Sequence, residues 1–127
     1  MQLGLAAWHR YMQTGDPAIL NAMTAPDAVF HSPVVQTPQA GHAKVILYLG
    51  AARTVFADSE FTYVRELVDG AEACLEFTAV VDGIQINGID LIRFNLEGRI
   101  ADFKVMVRPL KAIQMLWQKM ATALANT

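Results

Sequence analysis

Between Gly88 and Pro109 apolar and polar residues alternate on either side of Asn95-Leu96-Glu97-Gly98, a pattern that predicts an antiparallel hairpin of about 10 residues a side closing on a four-residue loop. Counting outward from that loop sets Asp90 opposite Phe103, on a face shared with Ile92, Phe94, Ala101, Val105 and Val107. One carboxylate thus sits among six apolar side chains. Arg93, Asn95, Asp102, Lys104 and Arg108 mark the other, more wettable face, which also carries Ile89, Leu91 and Met106.

The same period of two runs back to Glu60, punctuated at Asp69-Gly70 and Asp82-Gly83, so four strands in a meander are expected. In Glu72–Val81 the odd positions Ala73, Leu75, Phe77, Ala79 and Val81 specify the buried face. Phe61–Val68 is less clean, because simple alternation groups Phe61, Tyr63 and Leu67 with Arg65.

Ahead of the strands the period lengthens to that of a helix. Leu5, Trp8 and Met12 form a stripe over Leu3–Thr14, with Gly15 placed to end it. Asp16 as N-cap and Pro17 at the first helical position predict a two-turn helix over Pro17–Met23. Ala28–His31 reads as a brief strand halted by Ser32-Pro33. Gly41 to Ala57 is helical, with Val45, Ile46, Leu49, Ala52, Arg53 and Phe56 on one broad side and Asp58-Ser59 ending it. After Pro109 a last helix is expected, its stripe made of Leu110, Ile113, Leu116, Trp117, Met120 and Leu124. Helices first and antiparallel strands after them predict an α+β domain whose curved sheet folds around the N-terminal helices.

Composition narrows this to one domain over residues 1–127, 54% hydrophobic and only 17% charged. Such an apolar excess suggests an internal cavity, an oligomer interface, or both. No run is long enough to span a membrane, and the N-terminal stretch does not pass from a basic to an apolar segment, so neither a membrane nor a secretory leader is expected. Ten basic residues against twelve acidic leave a net charge of −2 without a basic cluster, which argues against nucleic acid as a partner. The lone Cys74 excludes an intrachain disulfide and a cysteine-based metal site, and suggests a reducing, cytoplasmic setting. His9 and His42 have no partners at metal-ligand spacing, so no metal and no cofactor is expected.

The segment Thr14-Gly15-Asp16, the run Ala28-Val29-Phe30-His31-Ser32-Pro33 followed by Gly41, and Ile89-Asp90-Leu91-Ile92-Arg93-Phe94 followed by Gly98-Arg99-Ile100 recur in an order and spacing that resemble the nuclear transport factor 2-like superfamily, in its SnoaL-like and ketosteroid-isomerase-like branch. The resemblance covers nearly the whole chain. It implies a cone: a curved antiparallel sheet wrapped on helices around an apolar pocket, lined here by Trp8, Tyr11, Phe30, Leu49, Tyr63, Phe77, Phe103 and Val105. It also implies a homodimer through the outer sheet face, which Ile89, Leu91 and Met106 would suit, and a small apolar molecule as ligand.

Carried over by position, the resemblance places Asp90 where ketosteroid isomerases keep a protonated aspartic acid in their oxyanion hole, an arrangement that stands as a general example of a carboxyl held neutral by an apolar site. Ser32 falls where those enzymes hold the general base, and a hydroxyl without an adjacent base takes a carbon acid's proton poorly. Trp8, Thr24 and Leu49 fall where they hold tyrosines. Two readings follow. In one, Asp90 carries proton-transfer chemistry of an isomerase, lyase or cyclase, assisted by Ser32 or His31. In the other, the protein is a non-catalytic homodimeric module that binds a ligand or protein, and Asp90 is locked in an ion pair with Arg65 or Arg108.

Overall fold

A computed structural model describes residues 2–125. Two helices, α1 (Gln2–Thr14) and α2 (Pro17–Met23), lead into β1 (Thr24–His31) and a two-residue β2 (Gln39–Ala40). Helix α3 (His42–Phe56) follows, then β3 (Thr62–Asp69), β4 (Glu72–Val81), β5 (Ile84–Phe94), β6 (Ile100–Arg108) and α4 (Leu110–Ala125). The expected meander is present, and β1 joins it by running parallel to β6, giving one sheet in the order β2-β1-β6-β5-β4-β3. The sheet is curved and unclosed, and its helices cover the concave side as the α+β cone requires.

Helix starts and stops follow local chemistry. The Asp16 carboxylate accepts from the Ala18 amide at 3.0 Å, with Pro17 at the position whose missing N–H costs nothing. Gly15 ends α1 with a φ of +69°, its amide donating to the Tyr11 carbonyl. β1 is longer than Ala28–His31 because an irregularity between Thr24 and Val29 lets the strand absorb Pro26.

Two irregularities shift register away from simple counting. In the β5–β6 hairpin, Phe94 pairs with Ile100 but Arg93 pairs with Asp102, so Ala101 is an extra residue. Asp90 therefore lies opposite Val105, and Phe103 opposite Ile92. Ile100, fully buried, takes the core place that counting assigned to Ala101. In β3, Tyr63 pairs with Phe77 and Arg65 with Glu76, leaving Val64 as the bulge residue. That single insertion separates Tyr63, which turns inward, from Arg65, which turns outward. Simple alternation had put them together.

The C-terminal helix corrects another expectation. Its buried stripe is Ala112, Met115 and Leu116, while Trp117 is 63% exposed and Leu110 is exposed as well. Both stripes satisfy the helical period. The small Ala112 permits close approach, and the largest side chains are left outside.

Buried apolar side chains fall into two clusters. One joins α1, α2, β1 and α3 to the middle of the sheet through Trp8, Tyr11, Leu20, Phe30, Val45, Leu75 and Phe103. The other joins Phe77, Ala79, Val81 and Ile86 to α4. Tyr63 and Val105 pack against both, and between the clusters the molecule is hollow.

Candidate active site

Sheet curvature and the two bulges decide what faces the hollow. On β5, Gly88 lies opposite Phe77 in β4, and a Cβ at Gly88 would come within 2.6 Å of the Phe77 ring. The ring thus occupies the space a side chain would need, and the next inward residue on β5 is Asp90. Above it stand Trp8 from α1 and Tyr63 from β3, turned inward by the Val64 bulge.

These three form a hydrogen-bonded chain. Trp8 Nε1 donates to the Tyr63 hydroxyl at 2.9 Å, and that hydroxyl donates to Asp90 Oδ2 at 2.5 Å. The indole N–H can only donate, so the Tyr63 oxygen accepts from it and the tyrosine's own proton goes to the carboxyl. Tyr63 is Asp90's side-chain partner, leaving the other carboxyl oxygen for the cavity. Asp90 is 6% exposed.

Burial dominates its chemistry. Loss of hydration pushes the Asp90 carboxyl up from its ordinary 3.8 to about 7, against the smaller opposing effect of the Tyr63 hydrogen bond. Tyr63 is held well above its ordinary range by burial and by the negative charge of Asp90 beside it, so it remains a donor. Near neutrality Asp90 therefore exists in both forms, one able to donate a proton and the other to accept one.

The ion-pair alternative does not hold. Arg65 Nε lies 3.0 Å from Glu76 Oε1 on the outer face, and Arg108 donates to Asn87 Oδ1. Both arginines occupy outward positions of strands whose inward positions frame the carboxyl. Among the described residues no cation lies within ion-pair distance of Asp90.

The cavity measures about 630 Å³, within the range of small-molecule sites. Trp8, Phe30, Leu49, Tyr63, Phe77, Phe103 and Val105 line it, together with Asp90 and Ser32. Tyr11 does not: it is buried behind Trp8, its ring centroid 5.5 Å from the indole. Aromatic rings meet edge to face along the walls, as in Phe56 against Phe77 and Phe61 against Tyr63. Ser32 Oγ accepts from the Val34 amide at 3.0 Å, which stabilises the turn after β1 and leaves the hydroxyl without a base beside it. His31 points away from the cavity, as its alternation with Phe30 demands, and its Nε2 lies 2.9 Å from Asp102 Oδ1. Thr24 is buried and donates to the Leu20 carbonyl, away from the cavity.

Sequence reading missed several wall residues: Met12, Arg53, Phe56 and Phe61, with Leu116 and Met120 from α4. His9 also reaches the wall and is paired through Nε2 with Glu66. Tyr63, on β3, is the tyrosine that reaches the Asp90 carboxyl. The bulge that aims it could have been suspected from the clash between Arg65 and the apolar face. Among the described residues no group of three His, Cys, Asp or Glu side chains could hold a metal ion, and no helix is long and apolar enough to cross a membrane.

Residues 5–103 match the SnoaL-like domain. Over 98% of this chain and 91% of the other, the structure superposes with a TM-score of 0.92 on a steroid delta-isomerase from Pseudomonas aeruginosa, at 42% sequence identity. An uncharacterised conserved bacterial protein with a cystatin-like fold from Silicibacter pomeroyi is 33% identical over 94% of this chain and 83% of its own, with a TM-score of 0.86. At 22% identity, an NTF2-like protein of unknown function from Mesorhizobium loti shares the fold over 85% of this chain and 90% of its own, with a TM-score of 0.74. No functionally curated protein sequence matches the chain.

Proposed function

Because this chain belongs to the SnoaL-like domain family, we propose that its cavity binds a small apolar carbonyl compound and that Asp90 moves a proton on it, in an isomerase, lyase or cyclase reaction. The observation that carries this reading is the Trp8–Tyr63–Asp90 hydrogen-bonded chain ending at a carboxyl whose pKa lies near 7. In its protonated form the carboxyl donates a hydrogen bond to a ligand oxygen and polarises the carbonyl. In its ionised form it is the proton acceptor, and a pKa near the working pH serves both roles. Tyr63 positions the carboxyl and supplies a hydrogen bond to whichever form is present. Ser32 offers a further hydroxyl at the wall, and the base function rests on Asp90 itself. The 42%-identical steroid delta-isomerase favours a ring ketone within this class.

We further propose that the protein pairs through its outer sheet face. Leu67 at 60% exposure and Met106 at 49% flank the partly exposed Ile89 and Leu91 there, an apolar strip suited to a second copy.

Deuterium incorporation tests the chemistry without knowledge of the natural product. A bicyclic ketone such as 1-tetralone, incubated with the protein in D2O, should exchange its α-protons faster than in buffer, as read by proton NMR. Asp90→Asn should remove the acceleration while still binding the ketone. Protein-dependent exchange that survives Asp90→Asn would overturn the assignment.

A further inference from the structure

One charged side chain in the cavity wall has no part in the Asp90 chemistry. Arg53 projects from α3 into the α1–α3 contact, where its Nη2 donates to the Met12 carbonyl at 3.2 Å. Met12 lies in the last turn of α1, so the guanidinium meets the negative end of that helix. It lies flat against Gly15, where an added Cβ would come within 2.4 Å of Nη1, and its carbon stands 5.8 Å from the Tyr11 ring centroid. Gly15 thus does more than end the helix: it clears the seat on which the guanidinium rests.

What the seat leaves unfinished is the hydrogen bonding. Arg53 Nε is buried and has no acceptor, a costly condition for a charged group. No carboxylate among the described residues pairs with Arg53. Asp58 and Glu60 also border the cavity, but both are exposed and neither bonds to it. A fixed cation without a carboxylate partner on the wall of a cavity built largely of apolar side chains is one way proteins select a ligand carrying oxygen acceptors.

We infer that the cavity takes a ligand with two oxygen-bearing ends joined by an apolar ring body: a carbonyl or hydroxyl oxygen at Asp90 and an anionic oxygen, a carboxylate in the simplest case, at Arg53. This rests on the reading of the cavity as a small-molecule site. Trp8, which bonds Tyr63 at the acid end, and Met12, which bonds Arg53 at the other, lie on one side of α1, about 6 Å apart along its axis, so the two polar ends border one cavity and an apolar ring body would lie between them. The neighbouring Phe30, Leu49 and Phe56 supply the apolar walls for it.

Two matched probes test the inference, both read by isothermal calorimetry at physiological salt: 2-naphthol, with one oxygen, and 6-hydroxy-2-naphthoic acid, with a carboxylate added at the far end. The wild-type protein should bind the acid about ten to a hundred times more tightly than the naphthol, the range expected for a charge-assisted pair. Arg53→Gln should bring the two affinities within about threefold of each other, and Arg53→Lys should keep much of the preference. Because the readout is a ratio within each variant, a loss of helix capping does not imitate it. Equal affinities in the wild type, or a preference that survives Arg53→Gln, would overturn the inference and leave the Asp90 site standing. If neither probe binds, the cavity reading fails and the inference with it.

Discussion

Replacing Asp90 with Asn should make the protein more stable in alkali and change its stability little in mild acid. The sign follows from linkage. Burial raises the native pKa from 3.8 to about 7, so between those values the folded protein holds a proton that the unfolded chain has released. Stability from this group is therefore fully present below about pH 4, falls as pH rises from there toward 7, and is lost above it, where the carboxyl is ionised in the folded protein too. The size of the rise corresponds to about 4 kcal/mol across the window. Asn keeps an oxygen to accept from Tyr63 and cannot ionise, so Asp90→Asn escapes the loss. Any cost of placing its amide N–H2 in the site is the same at every pH and drops out of the comparison. Urea unfolding of both proteins at pH 5 and pH 8 measures the difference, and subtracting one protein from the other removes other carboxylates such as Glu76, whose pKa is lowered and whose contribution has the opposite slope. The gap between variant and wild type should widen by about 3 kcal/mol from pH 5 to pH 8, which amounts to a melting-temperature difference on the order of 10 °C for a domain of this size. Parallel stability profiles across that range would refute the claim that Asp90 is buried and uncompensated.

Tyr63→Phe removes the hydrogen bond that holds the Asp90 pKa down and orphans the Trp8 N–H; it should cost about 1–3 kcal/mol in thermal or urea unfolding and move the Asp90 titration above 7. His31→Ala should leave ketone exchange unchanged and cost under about 1 kcal/mol, since it loses only a partly exposed pair with Asp102. A fall in exchange rate would return His31 to the chemistry. Gly88→Ala forces the Phe77 ring to move and should destabilise by about 1–3 kcal/mol, measurable by urea midpoint. Leu67→Asp together with Met106→Asp should convert a homodimer to monomer by sedimentation velocity; an unchanged mass would place the dimer elsewhere or exclude it.

Most of the architecture was legible because each element announced itself by period and punctuation. Asp16-Pro17 marked the start of α2 to the residue, and three Gly-containing turns marked the meander. The cavity acid was legible too, as a carboxylate on an apolar face. What escaped was anything that depends on one extra residue. Val64 and Ala101 are unremarkable in sequence, yet each flips the face of everything beyond it, and so Tyr63 was placed with Arg65 and Asp90 opposite Phe103. The α4 stripe failed for another reason. Periodicity identifies candidate faces, but the neighbour chooses among them, and here a small residue won over Trp117. Arg53 read as one member of a broad helical side; only the positive φ of Gly15 and the orphan Nε give it a separate role.

The central claim is that Asp90 meets a ligand oxygen inside the cavity. Binding of 1-tetralone labelled with carbon-13 at the carbonyl tests it directly, because a strong hydrogen bond to that oxygen moves the carbonyl resonance downfield. Wild type at pH 6 should shift the resonance downfield of its position in water, the shift should fade as pH rises past 7, and Asp90→Asn should weaken it at pH 6 and abolish its pH dependence while the ketone stays bound. A bound ketone whose resonance is indifferent to pH and to Asp90→Asn would contradict the account.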